Sequence, residues 1–337
     1  MKRLAIALAD IAARANLELA TWKAARGKRD RPAVVRWLAD LDANLGRLAA
    51  AITDGRAPLG GIRRFAILDP KPREIAVHDF PDRVLHHAIL NLAEPRFERM
   101  AVDSSFACRP GRGVHAAVLA VQRHLQRHPW WVQVDVASYF ASIDHAILLD
   151  LLRSRFKGEG LLALLARIVA AGAATGAARG LPIGALTSQH FANAYLDAAD
   201  RFLLALPQVR GHVRYMDDII WWCDSRDEAR ATLAALREYL WAARRLRLKP
   251  AVLVGRSDRG LRFCGFRIRC GQVLPSARKL ARFRVGARAL ARAATQGGAT
   301  DAELQRAHDT LSATLAHTES LRFRRRVWAA PGYRESA

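Results

Sequence analysis

The stretch R-Y-M-D-D-I-I-W-W, residues 214–222, sets Asp217 and Asp218 side by side ahead of the apolar run Ile219, Ile220, Trp221 and Trp222. With the preceding His212 and Val213 it has the pattern of a β-hairpin whose tip is Met216-Asp217. An Asp-Asp pair alone is most simply a solvated turn, because aspartate bonds its own backbone there. Three features argue for more. The apolar flanks set this turn against a core. A second strand-like run, W-W-V-Q-V-D at residues 130–135, carries Asp135 at its end, with Val132, Val134 and Val136 on one face. The chain around them is strongly basic, with 54 Lys+Arg against 31 Asp+Glu and a formal charge of +23. Adjacent carboxylates at a strand tip repel, and take up protons unless a cation neutralises them.

Outward from this hairpin the chain alternates irregularly between helix and strand. Residues 1–26 have helical periodicity. A second helix is expected from a cap at Asp30, with Pro32 in its first turn, through Ile52 to a stop at Gly55. Phe65, Ile67, Ile75 and Val77 suggest short strands around a Pro-rich turn, and helix is expected over residues 83–99. Two helices are expected in residues 145–172, and a glycine-containing loop at 180–186 leads to a helix capped by Thr187 or Ser188. Ser225 and Glu228 form a capping box opening a helix to about Arg245. Residues 261–270 read as one strand, and the Arg-rich tail after Ser276 is helical. There is no regular βαβ alternation, so the fold class is α+β, with helices on one face of a mostly antiparallel sheet.

The charge excess favours a polyanionic partner, since each phosphate neutralised releases condensed counterion. Cys108, Cys223, Cys264 and Cys270 form no C-x-x-C pair and have no histidines at zinc spacing, so they are expected as reduced residues of a cytoplasmic protein. Asp10 and Arg14 interrupt the N-terminal apolar stretch, which argues against a signal peptide. The longest apolar run, Leu161–Ala178, is broken by Arg167 and two glycines, so no membrane span is expected.

Hard carboxylate ligands suit Mg²⁺, with Mn²⁺ as an alternative, and two such ions can activate a hydroxyl and stabilise a leaving pyrophosphate. The segments V-D-V-A-S-Y-F (134–140), G-L-P-I-G-A-L-T-S-Q-H-F-A-N-A-Y-L-D (180–197), R-Y-M-D-D-I-I (214–220) and L-R-F-C-G-F-R-I (261–268) stand in the order found in reverse transcriptases, which the chain resembles from about Trp22 to Ile268. Upstream, D-P-K-P-R-E-I (69–75), D-R-V-L-H-H-A-I (82–89) and S-S-F-A-C-R-P-G-R-G-V-H-A-A (104–117) resemble the fingers of the bacterial enzymes. The L-P-I-G and T-S-Q elements are most similar to those of diversity-generating retroelements, although Ala185 stands where such enzymes most often carry Asn.

The resemblance implies a right-hand polymerase fold: an N-terminal helical extension at 1–60, fingers and palm at 61–275, and a helical Arg-rich thumb at 276–337. It implies RNA-directed DNA synthesis, error-prone at adenines. Asp135, Asp217 and Asp218 would be catalytic and, with the carbonyl of Val136, would hold the metal ions. Lys71, Arg73, Phe140, Ile183, Gly184 and Gln189 would bind the dNTP, Phe140 as the ring that excludes a ribose 2′-OH, with Asn193 and Gln189 facing the template groove. Tyr215, Met216, Gly265, Phe266 and Arg109 would contact primer or template, and Lys249 would protonate pyrophosphate. Template RNA, cDNA or primer, dNTPs and a small basic ring-forming accessory protein are the implied partners. A phage-defence or unassigned bacterial reverse transcriptase is the rival enzyme, and an inactive basic RNA-binding scaffold the rival from another class. Asp144 is read as a helix cap, outside the active site.

Overall fold

The computed structural model describes residues 2–57, 59, 61–68, 72–172, 177–297 and 299–329, without the side chains of Pro72 and Arg73. Its centre is a four-stranded antiparallel sheet in the order Gly211–Tyr215, Asp218–Cys223, Trp130–Asp135, Leu253–Arg256. Period-two alternation sends its side chains to different cores. Val132, Val134, Ile219 and Trp221 enter the larger core, with helices Phe80–Met100, Leu186–Ala205 and Arg226–Arg244. Trp131, Val213, Ile220 and Trp222 enter a second core, with helix Val114–Arg127 and a three-stranded antiparallel sheet. That smaller sheet is formed by Leu261–Phe263, Phe266–Arg269 and Gln272–Pro275. Helices thus cover both faces of the main sheet, not the single face expected. The segment 261–270 is correspondingly a hairpin, because Cys264 and Gly265 both take positive φ and reverse the chain.

The N-terminal region departs from its periodicity in two places. Residues 1–26 hold a short strand, Leu4–Ala5, and two helices, Leu8–Ala12 and Arg14–Ala25, separated at Ala13 with ψ 132°. The second expected helix is broken at Asp40 into Pro32–Ala39 and Leu41–Thr53, and its N-cap is Arg31, not Asp30. Ile11, Leu17, Val34, Leu45 and Ile52 enter the larger core, so this region packs in one layer with the helices on that face of the main sheet. The tail forms helices Ala277–Gln296, Asp301–Ala313 and Leu321–Trp328 around a small core of Phe283, Ala287 and Leu315.

The antiparallel hairpin Ile62–Leu68/Pro72–His78 meets the loop before helix Leu186–Ala205 through a backbone bond from Ala76 N to Ile183 O at 2.8 Å. Gly184, next in the chain, has φ 117°, and a Cβ there would lie 2.4 Å from Ala76 O. Only glycine fits both demands. Among the described residues, no helix is long and apolar enough to cross a membrane.

Candidate active site

Two neighbouring strands of the main sheet bring the three aspartates together. Asp135 ends strand Trp130–Asp135, Asp218 begins the adjacent strand, and the ladder pairs them directly. Asp217 sits in the two-residue turn, and Val136 N donates to its carbonyl at 3.3 Å. Met216, before it, has φ 58°, a conformation that methionine adopts only when its surroundings impose it.

Electrostatics mark the cluster. Burial, then the charge of Asp135, pushes Asp217 up to about 6. Burial pushes Asp218 up to about 7, against the hydrogen bonds that Gln133 Nε2 donates to it at 2.9 and 3.2 Å and with the help of Asp135 and Asp217. Lys249 Nζ lies 2.5 Å from Asp135 Oδ2, and its backbone N donates to Asp135 O at 2.8 Å. Asp135 Oδ1 is buried with no hydrogen-bond partner among the described residues. Three carboxylates, two of them raised by burial and by their neighbours and one with an orphaned oxygen, are the hard donor type that suits a divalent cation. The Lys249 ammonium is the cation that Asp135 holds here. Among the described residues, no three His, Cys, Asp or Glu side chains are gathered tightly enough to hold an ion as they stand.

Around the carboxylates, Phe140 is half-buried against the larger core, whereas Tyr139 is 3% exposed and its hydroxyl donates to Ala192 O. Tyr139 is therefore core and leaves Phe140 as the ring available for a gate. Ile183 and Gly184 form the loop docked on the fingers strand, and Gln189 is half-buried on the helix that follows. Tyr215 is half-buried against the second core and Met216 against the larger one. Gly265 is exposed at the tip of its hairpin. Lys71 and the Arg73 side chain lie outside the described residues.

Several expected contacts are corrected. Arg109 does not present its guanidinium to nucleic acid: it is tied to Glu98 at 3.0 Å and donates to Val102 O and Ser105 O, both at 2.7 Å. A buried loop carbonyl needs a donor, and Arg109 supplies two. Phe266 is 1% exposed beneath Lys279, whose Nζ lies 3.7 Å from the ring centroid, so its ring supports the hairpin and cannot reach a primer. Asn193 is buried, donating to Ala107 O at 2.7 Å, and does not line a groove. Thr187 and Ser188 are buried inside the helix, whose N-cap is Ala185; Thr187 meets His86 Nδ1 at 2.8 Å. Arg64, on the strand Ile62–Leu68, pairs with Glu74 and donates to Gly172 O. Asp144 caps its helix as expected, accepting from Ala146 N and Ile147 N.

Two partners of the site were not foreseen. Gln133 lies two residues before Asp135, on the same strand face, and its polarity among the apolar residues of that strand was the available signal. Arg214 lies beneath the turn, and its signal was the period-two pattern that places His212 and Arg214 together on a buried face.

Residues 69–268 match the reverse transcriptase (RNA-dependent DNA polymerase) family. The group II intron-encoded protein LtrA of Lactococcus lactis subsp. cremoris is 27% identical over 168 residues, covering 48% of this chain and 28% of that protein. The Escherichia coli protein YkfC is 29% identical over 198 residues, covering 54% of this chain and 48% of that protein. The chain thus spans less than half the length of either relative. A telomerase from Candida albicans, solved with a fragment of telomeric RNA, superposes with a TM-score of 0.50 at 9% identity, covering 70% of this chain and 51% of that one. That likeness places the architecture among right-hand polymerase folds.

Proposed function

Since the chain belongs to the reverse transcriptase family, we propose that it is an RNA-directed DNA polymerase that extends a primer on a template RNA with dNTPs. The observation that carries this reading is the direct pairing of Asp135 with Asp218 beside the Asp217 turn, with two of the three carboxylates held close to neutral pH. Mg²⁺ ions held by these aspartates and the Val136 carbonyl would supply Lewis-acid stabilisation of the phosphoryl transfer. The chain's own groups do the rest. Asp217 and Asp218 must shed protons before they act, and Lys249, whose Nζ lies 2.5 Å from Asp135 Oδ2, would protonate the departing pyrophosphate. Half-buried Phe140 excludes a ribose 2′-OH by contact. Lys71 and Arg73 would grip the triphosphate. Gly265 and Tyr215 support the primer end, and the Arg-rich helices from residue 276 onward contact the duplex backbone as a thumb.

The finer reading is a retroelement enzyme with low fidelity at template adenines, assisted by a small basic accessory protein in the cytoplasm. Its support is the L-P-I-G loop: Ile183 cannot hydrogen-bond an incoming nucleotide, which loosens selection against mispairs. The names of the relatives favour a second reading, an intron-encoded enzyme acting on its own intron RNA.

The test is dNTP incorporation on a primed RNA template with Mg²⁺. Replacing Asp217 and Asp218 together by Ala abolishes incorporation and leaves RNA binding near wild type, since positive charge elsewhere supplies the affinity. An inactive wild type that binds RNA normally would favour the scaffold. Sequencing cDNA from wild type and Ile183→Gln tests the fidelity reading: unchanged adenine errors overturn it. Splicing of a candidate intron RNA tests the second reading.

A further inference from the structure

Strand Gly211–Tyr215 places charge where an apolar residue is expected. Val213 and Tyr215 face the second core, while His212 and Arg214 turn toward helix Leu186–Ala205 and are 2% and 0% exposed. Arg214 uses its whole guanidinium there. Its Nε lies 2.7 and 2.9 Å from the two Asp200 oxygens, and Nη2 donates to Asp200 Oδ2 at 2.7 Å and to Asn193 O at 3.2 Å. Its Nη1 donates to Asn193 Oδ1 and to Met216 O, both at 3.0 Å. Asp200 also lies 3.3 Å from His212 Nε2, and His212 Nδ1 meets Ser104 Oγ at 2.7 Å. Burial would raise Asp200, but Arg214 and His212 hold it below its ordinary value.

The Met216 bond lies outside the ion pair and needs its own explanation. Met216 sits at φ 58°, where an ordinary side chain is strained, and its carbonyl belongs to the peptide plane that leads into Asp217. Fixing that oxygen fixes the plane, and with it the direction in which the Asp217 side chain leaves the turn. A buried ion pair is a poor source of stability, because desolvating both charges costs about what their attraction returns. Anchoring the strained turn gives the pair a purpose that a hydrophobic substitute could not serve.

We propose that Arg214, held by Asp200 and Asn193, is a positioning residue that clamps the Met216–Asp217 peptide so that the Asp217 side chain stays turned toward Asp135. The clamp reaches the reacting atoms only through the backbone. It rests on the polymerase reading above.

Two variants test it. Arg214→Lys keeps a charge against Asp200, but a single ammonium cannot also span to Met216 O and Asn193. Arg214→Met with Asp200→Asn removes both charges at nearly constant volume and leaves His212 a partner. The expected result is a folded protein with wild-type affinity for primer–template, unchanged KM for dNTP, and kcat at least tenfold lower, as for an ångström-scale misplacement. The Mg²⁺ concentration for half-maximal rate also rises. Wild-type kcat in either folded variant overturns the proposal. Loss of folding in both variants assigns the pair to stability alone and likewise overturns it. Wild-type protein without incorporation would instead refute the polymerase reading.

Discussion

Replacing Asp218 by Asn should destroy activity and make the metal-free protein more stable at pH 8. Burial and the neighbouring carboxylates raise Asp218 from its ordinary 3.8 to about 7. A carboxyl raised in the folded state stabilises fully below the unfolded value and loses that contribution as pH climbs to the folded one, here between about pH 4 and pH 7. A gap of about 3 units corresponds to roughly 4 kcal/mol when the group is ionised. The side chain is only partly buried, and solvent screening halves this to about 2 kcal/mol. Asparagine removes the charge and keeps the bond from Gln133 Nε2. An unfolding entropy of about 2.1 cal/mol/K per residue gives roughly 0.7 kcal/mol/K for a chain this long, so Tm rises by about 3 °C. The assay is thermal melting of wild type and Asp218→Asn in EDTA at pH 4 and pH 8. The gain appears at pH 8, disappears at pH 4, and shrinks when Mg²⁺ is added, since the ion stabilises only the wild type. A variant no more stable than wild type at pH 8, or equally favoured at both pH values, refutes the reasoning.

At limiting Mg²⁺, the wild-type rate should increase with pH through 6–7, as Asp217 and Asp218 ionise; a tenfold higher Mg²⁺ concentration moves the inflection toward acid, and a fixed inflection would count against metal–proton competition. Lys249→Met removes the ammonium at Asp135 Oδ2, so Mg²⁺ should raise Tm at several-fold lower concentration while kcat falls, read by melting titrations and primer extension. Gly184→Ala sets a Cβ against Ala76 O at φ 117° and should cost about 1–3 kcal/mol in urea unfolding and raise the KM for dNTP.

The hairpin at 211–223 was legible because a two-residue tip separates two strand-like runs, and Asp135 was marked by its place at the end of a third. The capping box at Ser225 and Glu228 was legible for a similar reason, since its chemistry is local. The break at Asp40 was not: the stripe Val34, Leu38, Leu41, Leu45 runs through it, and the kink changes neither spacing nor composition. The second core was hidden because W-W at 130–131 and 221–222 reads as one greasy block, though adjacent rings point to opposite faces. Arg109 and Phe266 were misplaced for a shared reason. A motif fixes where the backbone passes, while a loop carbonyl or a covering lysine decides whether the side chain is free.

Trp221 donates from Nε1 to Thr232 Oγ1 at 2.9 Å on one side of the sheet, and Trp222 stacks on His124 at 4.8 Å on the other. These neighbours are therefore independent optical reporters. With one or the other replaced by Phe, the change in emission during unfolding shows whether the palm's two layers melt together or in sequence. Their shared strand begins at the acidic tip, so whichever layer loosens first also disturbs the turn that carries Asp217.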